Sequence, residues 1–144
     1  MQIKAIAIRA QKGAAMQLLT QAEIDEATGV QGDAGRRPGK FMVTLLSQES
    51  WNDACVDVGQ DLPWTTRRAN ILVSGYRFSA DDVGKVIHLG DCQLKVTRET
   101  DPCDLMDAAC PGLKAALKPD WRGGVRAQVI AGGVVVCGES AHIA

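Results

Sequence analysis

No stretch of this 144-residue chain keeps one periodicity for long: short runs of aliphatic residues alternate with turns that contain glycine. That punctuation constrains the fold more than any other feature, because it admits many short strands and few helices. Residues 2–9 alternate Ile3, Ala5 and Ala7 against Ile6 and Ile8, which predicts a strand apolar on both faces. Residues 14–28 have room for one or two weaker strands before Gly29. The glycine-rich run 29–40 reads as a long surface loop. Strands follow at 41–46, at 70–73, and at 86–89 and 92–97, the last two joined by the turn Gly90-Asp91. Near the end, Val125–Ile130 and Val134–Cys137 flank Gly132-Gly133, which predicts a hairpin. Helical spacing is confined to three places. Ser47 caps one helix whose Trp51, Ala54, Cys55 and Val58 share a face and which Gly59 ends. Two shorter pieces, 103–109 and 112–118, are divided by Pro111 and stopped by Pro119. The expectation is a mainly β fold, a closed β-barrel with short helices, formed as a single domain over residues 1–144.

Composition narrows the function classes. Sixteen Lys and Arg against seventeen Asp and Glu give a net charge of −1, without the basic excess that nucleic-acid binding calls for. No apolar run approaches the ~18 residues of a membrane helix. The segment Met1–Arg9 is too short and too charged for a signal peptide, so a cytoplasmic location is expected. The five cysteines, Cys55, Cys92, Cys103, Cys110 and Cys137, are odd in number, which favours reduced thiols. No C-x-x-C pair occurs and His88 and His142 are the two histidines, a poor set for structural zinc.

One thiol stands apart. In Asp101-Pro102-Cys103-Asp104, Asp101 reads as an N-cap, Pro102 as the first helical position and Asp104 as the third. Cys103 would then sit in a first helical turn, whose unpaired amides favour a thiolate, while Asp101 and Asp104 oppose one. A thiolate suits nucleophilic sulfur chemistry and soft-metal ligation alike. The other cysteines fall in apolar patterns, with Cys110, seven positions on, as a candidate resolving thiol.

Candidate anion-binding groups lie in three loops. Arg67 and Arg68 follow Trp64-Thr65-Thr66, and a guanidinium fork fits phosphate or carboxylate. Asn70, next to them, would orient a ligand or tie down the loop. Arg36, Arg37 and Lys40 form a small basic patch in the glycine-rich loop, and Arg122 precedes Gly123-Gly124. Neither histidine can be paired with a serine or cysteine as a catalytic dyad.

Three segments in order carry a resemblance. They are Gly32-Asp33 before the strand Val43–Leu46; Arg68-Ala69-Asn70 through Gly75, with Gly84 and Gly90-Asp91; and Pro102-Cys103 followed by Arg122-Gly123-Gly124-Val125 and Gly132-Gly133 through Gly138. Together they resemble the MOSC domain, named after the C-terminal domain of molybdenum cofactor sulfurase, over nearly the whole chain. The resemblance implies a barrel similar to that of the pyruvate kinase barrel domain. It implies a sulfur carrier or molybdenum-cofactor-handling protein, in which Cys103 would hold a persulfide or ligate molybdenum if the metal is bound. The sulfur donor would be a pyridoxal-phosphate-dependent cysteine desulfurase, with pyridoxal phosphate on that partner. Molybdenum cofactor enzymes or biosynthesis proteins would be further partners. The family's Arg-x-Asn maps onto Arg68 and Asn70, with Arg67, Arg36 and Arg122 as further cofactor-binding candidates. Two other readings stay open: a non-catalytic cofactor- or partner-binding module, and a molybdenum-dependent reductase of N-hydroxylated compounds. Departures from the family pattern are Ala34-Gly35 after the Gly-Asp pair, Ala69 after the key arginine, and the missing N-terminal barrel half of the molybdenum reductases.

Overall fold

A computed structural model describes residues 1–34, 39 and 42–144. The strands are β1 (Gln2–Ile8), β2 (Gln17–Leu19), β3 (Gln21–Asp25), β4 (Gly29–Val30), β5 (Val43–Ser47), β6 (Ile71–Ser74), β7 (Val86–Leu89), β8 (Cys92–Glu99), β9 (Val125–Ala131), β10 (Gly133–Val136) and β11 (His142–Ile143). The helices are α1 (Gln48–Val58), α2 (Asp104–Ala109) and α3 (Leu113–Leu117). Tight 3-10 turns stand at Trp64–Arg67, Ala80–Asp82 and Pro119–Trp121. No helix among the described residues is long and apolar enough to cross a membrane.

Eight strands form one sheet in the order β11-β7-β8-β9-β5-β6-β1-β2, and three form another, β10-β3-β4. Among the described residues every strand pairing is antiparallel except β5 with β6. That parallel pair needs a crossover, and α1 supplies it. The expected closed barrel is corrected: the large sheet is open. Its edge strands β2 and β11 do not pair. The reason lies at β1, whose second edge is divided. Ile6–Ile8 pair with β2, whereas Ile3 donates to the Glu139 carbonyl and accepts from Gly138 N–H. The returning chain thus covers the first half of β1 before reaching β7.

The predicted hairpin at Gly132-Gly133 is also corrected. β9 pairs with β8 and β5, whereas β10 pairs with β3 in the other sheet. The glycines serve a crossing between sheets rather than a reversal. A Cβ on Gly132 would lie 2.7 Å from the Ile24 carbonyl oxygen, and one on Gly133 would lie 2.9 Å from Cys92 N. Only glycine lets the two backbones approach so closely.

The pleat divides the apolar residues between two faces. In β5 and β6, Leu45 and Ile71 join one cluster with Ile3, Ile6, Phe78, Leu94 and Val125, while Leu46 and Leu72 join another. The second cluster is where the helices dock, through Trp51, Ala54 and Cys55 of α1, Met106 of α2, and Leu113 and Leu117 of α3. α1 matches its sequence signals. The Ser47 side chain accepts from Ser50 N–H, and Gly59, at φ 70°, ends the helix in the left-handed region.

Candidate functional site

Four segments converge on one cleft of about 250 Å³: the 3-10 turn with Arg67 and the following Arg68–Asn70, the end of β8 with Thr100, the entry to β9 with Gly123 and Arg126, and the start of α2 with Cys103. Arg9, just after β1, Asp33, Met42 and Thr44 complete the wall. The structure therefore brings Cys103, Arg67, Arg68 and Asn70 together from positions far apart in the chain. It does not bring Arg122 to them. That guanidinium is bound to the Asp57 carboxylate and the Ala116 carbonyl, tying α1 to α3. Arg36, Arg37 and Lys40 lie outside the described residues.

α2 starts two residues later than its capping signals predict. Cys103 is itself the N-cap, with extended backbone at φ −122° and ψ 179°, and its side chain makes no capping hydrogen bond. Asp101 does not cap the helix; its carboxylate accepts from Arg98 Nη2 at 2.8 Å. The sulfur is thus outside the first turn, on the solvent-exposed rim of the cleft. Cys110 is buried and its thiol donates to the Pro111 carbonyl, so it does not face the rim as a resolving partner.

The two adjacent arginines divide their work. Arg67 is 7% exposed; Nε donates to the Gly123 carbonyl at 3.0 Å and Nη2 to the Thr100 carbonyl at 2.8 Å. It pins the end of β8 to the entry of β9. Burial lowers its pKa, the Cys103 sulfur counters that shift, and the charge of Arg126 adds to it. Arg68 stands in the left-handed region at φ 62° and donates from Nη2 to the Ala14 carbonyl. That backbone turn sends consecutive side chains along different paths.

Asn70 is bonded into the wall of the cleft. Its Oδ1 accepts from both the backbone N–H and the hydroxyl of Thr44, at 3.2 and 3.1 Å, while Nδ2 donates to the Ala7 carbonyl at 3.3 Å. Of the two sequence readings for Asn70, tying down the loop is the one these bonds describe.

Among the described residues, four arginines, Arg9, Arg67, Arg68 and Arg126, line the cleft against one carboxylate, Asp33, which is buried and accepts from Arg9 N–H at 3.0 Å. Among the described residues, Thr100 Oγ1 is the buried side-chain polar atom without a hydrogen-bond partner. Arg9, Thr100 and Arg126 escaped sequence reasoning. For Arg126 a signal existed: it alternates with buried Val125 and Ala127, so its side chain leaves the core. For Thr100 there was none, because its missing partner is a property of the assembled cleft. Among the described residues no group of three or more His, Cys, Asp or Glu could hold a metal ion.

The family model of the MOSC domain matches residues 31–142. The fold is similar to that of the YuaD protein from Bacillus subtilis, 19% identical, with TM-score 0.81 over 99% of this chain and 96% of that one. It is similar to YiiM from Geobacillus stearothermophilus, 16% identical, with TM-score 0.77 over 99% and 74% of the two chains. It is similar also to YiiM from Escherichia coli, 13% identical, with TM-score 0.75 over 100% and 70%. No protein among the curated ones matches the sequence.

Proposed function

The chain belongs to the MOSC domain family, which is associated with molybdenum cofactor-related proteins, and from that membership and the chemistry of the cleft we propose that it carries sulfur, or handles molybdenum cofactor, through Cys103. The observation that supports this reading is an exposed thiol on the rim of a cleft whose charged lining, among the described residues, is four arginines to one carboxylate. Such a lining suits an anionic ligand, because guanidinium forks donate paired N–H groups to oxyanions. Arg9, Arg67, Arg68 and Arg126 hold the negative end, Asn70 fixes the wall, and Asp33 accepts from an N–H of the ligand.

As a sulfur carrier, the Cys103 thiolate attacks the terminal sulfur of a donor persulfide. The new S–S bond forms on Cys103 as the donor's S–S bond breaks, and the donor leaves as a thiolate. No external oxidant or reductant is consumed. A pyridoxal-phosphate-dependent cysteine desulfurase is the class of donor this step calls for.

The residues present also fit molybdenum cofactor. Thr100 Oγ1 is buried without a partner in the cleft wall, and a Cβ on Gly123 would lie 2.6 Å from the Thr100 carbonyl oxygen and 3.2 Å from Arg67 Nη2, so glycine leaves room for the Arg67 clasp in that wall. When bound, the cofactor would supply a redox-active metal for which the Cys103 sulfur is a soft ligand. The arginines would neutralise its phosphate.

Mass spectrometry of protein purified without reductant, before and after incubation with a cysteine desulfurase and cysteine, tests the reading. The expected result is one added sulfur on the Cys103 peptide, lost in Cys103→Ser, or a co-purifying pterin with molybdenum. Protein that gains no sulfur and carries no pterin or metal would leave the binding-module reading in its place.

A further inference from the structure

The cationic lining of the cleft falls into two groups. On the side adjoining a second groove, formed with Thr65, Thr66 and Ala109, Arg68 already donates to a backbone carbonyl. On the other side stand Arg67, Thr100 and Arg126: Thr100 N–H donates to the Gly124 carbonyl, Arg126 lies opposite Arg98 in the β8–β9 register, and Arg67 joins them by donating to the Thr100 carbonyl.

Each of these three has capacity left over. Arg67 uses Nε and Nη2 on carbonyls, and its Nη1 has no partner among the described residues. The Arg126 guanidinium makes no hydrogen bond or ion pair among them. Thr100 is 8% exposed and its hydroxyl is unpartnered. A buried hydroxyl without a partner is a standing cost, and two guanidiniums facing one space repel each other. One anion placed between them relieves all three.

We propose that Thr100 Oγ1, Arg67 Nη1 and the Arg126 guanidinium form the seat of a tetrahedral oxyanion of the phosphate type, with the Thr100 hydroxyl as its neutral donor. This rests on the reading of the cleft as an anion site and names the groups that take the charge. The donors come from three separate segments, the 3-10 turn, the end of β8 and β9, which suits a tetrahedral ion. A planar carboxylate is satisfied by one guanidinium fork. The same chemistry comes from a free inorganic oxyanion or from the phosphate monoester end of a larger ligand.

Isothermal titration and thermal unfolding of the full chain test the seat, with inorganic phosphate, glycerol 3-phosphate and acetate as probes. Inorganic phosphate is expected to bind and to raise Tm with concentration. Thr100→Val is expected to weaken phosphate binding about tenfold or more, since a hydrogen bond to a charged group is lost. Its unliganded Tm should stay at or above wild type, because the hydroxyl has no partner to lose, and Thr100→Ser should restore binding to within about threefold. Tighter binding of the monoester marks the anion as one end of a larger ligand, equal affinities mark a free oxyanion, and either supports the seat. Wild-type affinity in Thr100→Val, or acetate binding as tightly as phosphate, would overturn it. If phosphate binding ignores Thr100→Val but falls in Arg68→Gln, the seat is wrong and the anion reading stands. If neither phosphate probe binds wild type, both fall.

Discussion

Cys103 and Cys92 mark the two extremes of thiol environment. Cys103 is exposed at the cleft rim, whereas Cys92 is fully buried in β8 and burial pushes its thiol up to about 12. Iodoacetamide at neutral pH is therefore expected to label Cys103 first, with Cys55, Cys92 and Cys110 reacting only on unfolding, as read by peptide mapping. Native labelling of Cys92 or Cys110 ahead of Cys103 would remove the kinetic case for Cys103 as carrier. Cys137 is half-buried, with its thiol donating to the Leu19 carbonyl, so it should follow Cys103 rather than precede it. A second residue carries a pH signature. Burial, then the neighbouring Asp101 carboxylate, raises the pKa of Glu99, against the opposing charges of Arg67 and Arg98. At neutral pH Glu99 is ionised both folded and unfolded, and the folded state bears the penalty. As pH falls through the raised folded pKa the folded protein takes up a proton first, and below the unfolded pKa the penalty is gone. Glu99→Gln is expected to have a higher Tm than wild type at neutral pH, with the gap closing on acidification. A gap that widens in acid would contradict this sign.

At the scale of elements, the entry to β9 is the most tightly specified. A Cβ on Gly124 would lie 2.2 Å from the Leu45 carbonyl oxygen, at φ 94°, so the β5–β9 pairing depends on this glycine. Gly138 has a similar φ of 92° and open space around its Cβ position. Gly138→Ala is expected to cost ~1–2 kcal/mol for the left-handed backbone alone, and Gly124→Ala that plus ~1–3 kcal/mol for displacing β5. Urea midpoints of the two variants would show the order, and equal losses would mean that β5 shifts freely. The elements also show where sequence stops being informative. α1 was legible to both ends because its caps and apolar spacing are local. The β9–β10 hairpin was misread because Gly132-Gly133 between alternating strands signals a reversal locally, while the deciding contacts, to Ile24 and Cys92, come from elsewhere in the chain. The start of α2 was misread because Arg98 competes for the Asp101 carboxylate, and nothing in the spacing reveals that pairing.

At the scale of the molecule, the cleft is made where strand ends meet, and its residues come from nearly every part of the chain. Motif spacing singled out Cys103, Arg68 and Asn70, but not the hydrogen bonds of the last two, which reach Ala14, Ala7 and Thr44. Arg67, read as a solvated charge or an anion ligand, is buried and clasps the ends of β8 and β9 through Nε and Nη2. The helices on the far face support the site indirectly, through Met106, which is buried among them and also lines the cleft. One further consequence concerns time rather than place. Met1, just before β1, bonds to Ala141, and Ile3 bonds to Glu139, nearly the whole chain away, while the other edge of β1 is held by β6. Closing loops of that length must precede any reward from the contacts, so folding is set by topology and should take milliseconds to seconds. Stopped-flow refolding would measure it, and a microsecond phase carrying the full amplitude would contradict it. During synthesis, the backbone edge of β1 at Ile3 would wait unpaired until the segment around Glu139 had been made.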